Sequence, residues 1–192
     1  MSRKVFRSLI IAAVLLSPTA SPASEDIDRH TAEARAMVKA FAARLQGELK
    51  SALKTVGPEG AIGVCNIVAP EIANDASKRS GWRVARTDLR LRNPANAPDD
   101  WERRVLEEFV RRQQAGESAA TLEHREVIEK DGKRVFRYMK AIGTKGVCLT
   151  CHGAQLAPGL SAEIRQLYPD DKATGFRLGD IRGAFTITQP LP

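Results

Sequence analysis

Glu126-Val127-Ile128-Glu129-Lys130-Asp131-Gly132-Lys133-Arg134-Val135-Phe136-Arg137-Tyr138-Met139-Lys140-Ala141 sets two strand-like runs either side of Asp131-Gly132. Asp-Gly between such runs is a strong β-hairpin signal, because both residues tolerate the positive φ that a tight hairpin turn needs. Downstream lie a cysteine-histidine motif, a short helix near Ser161 to Tyr168 and a last strand from about Arg182 to Thr188. Upstream, Trp101, Val105, Phe109 and Val110 mark a helix that Asp99 or Asp100 can cap and Gly116 ends. Asn93 to Pro98 is a loop by composition, and Trp82, Val84, Ala85, Leu89 and Leu91 suggest a strand or strand pair.

Further back, Ala34, Val38, Phe41, Leu45, Leu49, Ala52 and Val56 recur at helical spacing, which predicts one long amphipathic helix ending at Gly57-Pro58. A second helical stretch carries Ile62, Cys65 and Ala69 on one face and is expected to break before Pro70. Pro70 then suits the first turn of a helix reaching about Ser80, closed by Gly81. Grouped strands without βαβ alternation predict an α+β fold with an antiparallel sheet, flanking helices and a long N-terminal helix over residues 24–57.

The chain of 192 residues has room for one ordinary domain, and a hydrophobic fraction of 43% supplies its core. Arg3, Lys4 and Arg7, the apolar run Ser8 to Leu16, and small residues up to Ala23 read as an export signal over residues 1–23. Cleavage is expected after Ala20 or Ala23, leaving a single domain over 24–192 in the periplasm with no stable membrane span. Loss of the three basic residues leaves 27 basic against 23 acidic side chains, a net +4. That charge is mild, aromatics are scarce, and no basic run is interleaved with them, so nucleic acid is not an expected partner.

Cys148-Leu149-Thr150-Cys151-His152 is C-x-x-C-H, the attachment signature of c-type haem. Two thiols at this spacing reach the two vinyl groups of one porphyrin edge, and the adjacent imidazole binds iron from below. With three cysteines and three histidines in the chain, a chance match is roughly one in a thousand. The rivals are a thioredoxin-like redox pair, a structural disulfide, and a zinc site completed by Cys65, His30 or His124.

The second axial ligand is less direct. Met37 and Met139 are the mature methionines, and neither follows His152, which excludes the commonest small-cytochrome arrangement. Helical-bundle cytochromes share the late attachment site but have no place for the hairpin. Cys65 is the stronger candidate, set against the alternative of a buried thiol packing as a small hydrophobe. His124 and His30 are weaker rivals.

Gly63-Val64-Cys65, Arg86-Thr87-Asp88-Leu89, Arg92-Asn93-Pro94-Ala95-Asn96-Ala97-Pro98-Asp99, Trp101-Glu102 and Tyr138-Met139, together with Cys148 to His152, resemble a bacterial family of exported monohaem proteins. The resemblance spans most of residues 30–190. It implies a PAS-like antiparallel sheet with flanking helices enclosing one covalent haem c. It also implies a histidine–cysteine axial pair, which maps onto His152 and Cys65. Asp88 departs from the family, where a small hydroxyl residue is more usual. Arg86, Arg90 and Arg92 are candidates for holding haem propionates, or else a solvent-facing row. Tyr138 and Met139 either wall the haem pocket or pack the sheet.

The expected function is redox or ligand sensing, with a soluble electron carrier as the alternative. An enzyme is not expected, because no distal acid–base pair stands out. The partner is an unidentified redox or signalling protein of the cell envelope.

Overall fold

The computed structural model describes residues 22–192, with side chains from Asp26 onward. The expected export signal over 1–23, but for its last two residues, lies outside the described residues.

Helix α1 runs over Pro22–Thr55. Its stripe of Ala34, Val38 and Phe41 is buried against the sheet, as the sequence periodicity requires. Gly57 turns the chain at φ +73°, and α2 follows over Gly57–Gly63. The expected break before Pro70 does not occur. Instead Val64–Val68 forms a single π turn that runs directly into α3, Ala69–Ser80. Ala69 donates its N–H to Val64 O, five residues back. The π turn keeps the helical path continuous, and Pro70 stands in the first turn of α3. Gly81, at φ +73°, closes α3 in the left-handed conformation and donates to Ser77 O.

Strand β1 covers Arg83–Thr87 only, half the stretch the sequence suggests. Asp88 leaves the sheet because its N–H turns to Asn96 O, at the end of a 3-10 turn over Pro94–Asn96, and its carboxylate is buried against Arg182. Helix α4, Asp100–Gln114, opens with a capping box in which Asp99 accepts from the Glu102 N–H and Glu102 from the Asp99 N–H. Strands β2, Glu123–Lys130, and β3, Lys133–Gly143, form the expected hairpin, with positive φ at both Asp131 and Gly132. The cysteine motif lies on α5, Gly146–His152, followed by α6, Pro158–Leu167, and β4, Ile181–Pro190.

The sheet is antiparallel throughout, in the order β1-β4-β3-β2. Alternation along β3 and β4 sends Phe136, Tyr138, Phe185 and Ile187 towards α1 and α3. Met139, Ala141 and Ala184 point the other way, to Trp101, Val105 and Phe109 of α4. Both faces of the sheet are therefore covered by helices. A third cluster joins Ile62 of α2 to Leu160 and Ile164 of α6 and to Tyr168, with Cys151 packed against it. That cluster brings the Cys65 segment and the motif helix together.

Candidate functional site

Between the C-terminal half of α1, the π turn, the ends of β1, β3 and β4, and α5 lies a cavity of about 710 Å³, within the range of small-molecule and cofactor sites. Leu45, Leu49 and Leu53 of α1 and Ile62 of α2 give it an apolar wall. Cys65, Cys148, Cys151 and His152 all line it, although 83 positions or more separate Cys65 from the rest in the chain.

The three cysteines are free thiols. Among the described residues no group of three or more His, Cys, Asp or Glu side chains lies close enough to share a metal ion. A zinc cage needs four such donors. Porphyrin iron takes four nitrogens from its own ring and asks the protein for one or two. The donor chemistry therefore fits a haem: two thiols a helical turn apart, an imidazole beside them, and a third thiol across an apolar compartment.

His152 is prepared for this role by its surroundings. Its Nδ1 lies 2.6 Å from Ala173 O, and since a carbonyl only accepts, Nδ1 carries the proton. The lone pair is thereby placed on Nε2, which Arg182 Nε approaches at 3.5 Å, the outer limit of a hydrogen bond. Burial, reinforced by the charges of Arg182 and Arg92, pushes the imidazole pKa down to about 2, so the ring is neutral and able to ligate at any physiological pH. Phe176 meets the ring edge-on at 6.2 Å.

The Ala173 carbonyl is itself held. Arg92, 7% exposed, makes a two-pronged ion pair with Asp171, at 3.1 Å from Nε and 2.9 Å from Nη2. The same Nη2 donates to Cys151 O at 2.7 Å and to Ala173 O at 3.3 Å. One guanidinium thus ties the motif helix to the segment that orients its histidine. Gly175 N–H to Gly153 O and Phe176 N–H to His152 O, both 2.9 Å, complete the join.

These contacts revise the arginine row. Arg92 reaches the cavity wall, with its Nε and Nη2 donors committed to Asp171 and two carbonyls. Arg90 faces away, bonded to Lys172 O and Thr174 O with its guanidinium 4.1 Å above the Phe176 ring. Arg86 alone of the three lines the cavity without a carboxylate partner, and burial lowers its pKa. Asp88 and Arg182 form a further pair at the wall, 3.3 Å apart, with Asp88 Oδ1 buried and unpartnered. Gly183 allows that approach: a Cβ there would lie 2.6 Å from Thr87 O and 2.8 Å from Asp88 Cβ. Burial pushes the Asp88 carboxyl up and the Cys151 thiol up, the nearby Cys65 adding to the latter.

The rival ligands lie elsewhere. His30 sits in the core 5.3 Å from Trp82, and His124 stands at the sheet edge beside Trp101 and Glu126. Met37 packs on the core beneath α1. Tyr138 and Met139 pack the two faces of the sheet and take no part in the cavity wall, Tyr138 donating to Glu123 at 2.7 Å. Sequence inspection missed Arg182, Asp171 and Ala173. Their only local signal is the charge and glycine pattern of 171–183, whose partners lie 79 or more positions away for Arg92 and Asp171.

A family model described as Tll0287-like matches residues 20–190. Among solved structures, the cyanobacterial heme-protein Tll0287 has a similar fold, with a TM-score of 0.67 over 90% of this chain and 98% of that one, at 23% identity. No curated protein matches.

Proposed function

This chain belongs to the Tll0287-like family, and from that premise we propose that it is an exported monohaem c-type protein that works by redox or ligand sensing. The observation that carries the proposal is the convergence of Cys65, Cys148, Cys151 and His152 on one apolar cavity. Cys148 and Cys151 would hold one haem through thioethers, and His152 and Cys65 would supply the protein's ligands to its iron. The haem, when bound, supplies one-electron iron chemistry.

The protein's own groups set the conditions. Ala173 O holds the His152 tautomer, which fixes Nε2 as the ligating atom. Arg86 places positive charge in the compartment that Cys65 shares. Leu45, Leu49 and Leu53 offer an apolar wall to the porphyrin face. A thiolate donor favours the ferric state and a low potential. Held by Cys65 as well as His152, the iron would have no free site for an oxidant substrate, so catalysis is not the proposed role. The PAS-like description rests on the sequence resemblance and is supported by helices packed on an antiparallel sheet beside the cavity.

The periplasmic location rests on the N-terminal pattern; among the described residues no helix is long and apolar enough to cross a membrane. The partner is a redox or signalling protein of the envelope. A soluble electron carrier is the second reading, favoured by the exposed apolar lip beside the motif helix. The test is expression with the cytochrome maturation system, then denaturing electrophoresis stained for haem. Colour that stays with the chain, and is lost from a Cys148→Ser, Cys151→Ser variant, is expected; colour that washes out of the wild type refutes covalent attachment.

A further inference from the structure

Val147 and Leu178 are among the few large apolar side chains left exposed, at 39% and 71%. They belong to segments lashed together by two backbone bonds, Gly179 N–H to Thr144 O at 2.9 Å and Thr144 N–H to Asp180 O at 2.8 Å. Val147 and Gly179 also line the cavity, so this lip is continuous with the compartment of Cys148. Cations border it. Lys145 and Arg177 are both exposed. The acid at this lip is Asp180, whose carboxylate accepts the Arg177 N–H at 2.7 Å. The nearby Asp171 and Asp88 are spent on Arg92 and Arg182. An apolar centre with a cationic rim is built to meet an anionic surface.

Resting on the haem reading of the cavity, we propose that this lip is the docking surface for an acidic one-electron redox protein. Docking there brings the partner's redox centre to the edge of the compartment that holds the motif helix. The exchange needs no bond to form or break: one electron leaves the partner's reduced centre and the ferric iron becomes ferrous.

The probe is reduced plant-type [2Fe–2S] ferredoxin, an acidic one-electron donor, mixed with the haem-loaded protein in a stopped-flow instrument. Photoreduced deazaflavin, small and uncharged, serves as the control reductant. The ferredoxin rate is expected to fall at least about tenfold as ionic strength rises from about 0.01 to about 0.15 M, while the flavin rate holds. Lys145→Glu with Arg177→Glu should lower the low-salt ferredoxin rate by about tenfold or more, with the absorption spectrum and flavin rate unchanged. Leu178→Ser should slow ferredoxin at both ionic strengths. A ferredoxin rate indifferent to salt and to charge reversal, in protein that carries haem, overturns the docking surface alone. A colourless preparation overturns the haem reading beneath it.

Discussion

Replacing Arg92 should loosen the motif helix from the segment that orients His152. The guanidinium is 7% exposed and the Asp171 carboxylate 8%, so Arg92→Ala leaves a buried carboxylate without its two-pronged partner. Breaking such a pair from one side costs about 3–5 kcal/mol. The carbonyls of Cys151 and Ala173 lose a donor in the same step. At about 2–4 °C per kcal/mol for a chain of this size, the melting midpoint should drop by roughly 6–20 °C. Arg92→Lys keeps the charge but loses the fork, and should fall between wild type and alanine. Arg92→Met with Asp171→Leu removes both charges and should recover most of the loss, because two apolar residues leave nothing unpaired. The assay is thermal unfolding followed by circular dichroism, with wild type, Arg92→Met, Asp171→Leu and the double variant arranged as a double-mutant cycle. A melt for Arg92→Ala within about 1 kcal/mol of wild type, or additive single effects, would refute the clamp.

Other expectations are shorter. In haem-loaded protein, Cys65→Ala should abolish the thiolate features of the ferric absorption spectrum and raise the potential; an unchanged low-spin ferric spectrum removes Cys65 from the iron. The bond from Arg35, opposed by partial burial and aided by the Tyr138 hydroxyl, holds the Glu123 carboxyl at about 2, below its ordinary 4.5. Its folded pKa is depressed, so the stability it contributes is present above about pH 4.5 and is lost as pH falls towards 2. Glu123→Gln should flatten the acid limb of a plot of melting temperature against pH over that window, and an unaltered limb would assign the acid sensitivity elsewhere. Gly183→Ala should cost about 1–3 kcal/mol, because its Cβ meets the Thr87 carbonyl and the Asp88 side chain. Urea titration checks this, and a wild-type midpoint would mean that the strands part freely there.

What the sequence made legible was local. The Asp131-Gly132 turn, the Gly81 stop and the cap at Asp99, one of the two aspartates that offered it, each depend on neighbours within a few residues. The π turn at Cys65 was not legible, because Pro70 signals only a missing N–H. Whether a helix breaks or bulges there depends on what packs on it, and α1 lies against this turn. The long-range pairs were equally hidden. Arg92 reads as a free cation until Asp171 is folded against it, and Asp88 reads as an odd substitution until Arg182 arrives on β4. Conversely, Tyr138 and Met139 are drawn to the site by sequence proximity to the motif, yet strand alternation sends them into the two cores. The four residues of the proposed haem site came from motif chemistry and resemblance, and their shared cavity came from the fold.

The most direct measurement is the intact mass and visible spectrum of protein purified from cells that mature c-type cytochromes. The account calls for a chain heavier by one haem, with a spectrum that persists after denaturation. A colourless protein with the mass of the bare polypeptide would contradict it.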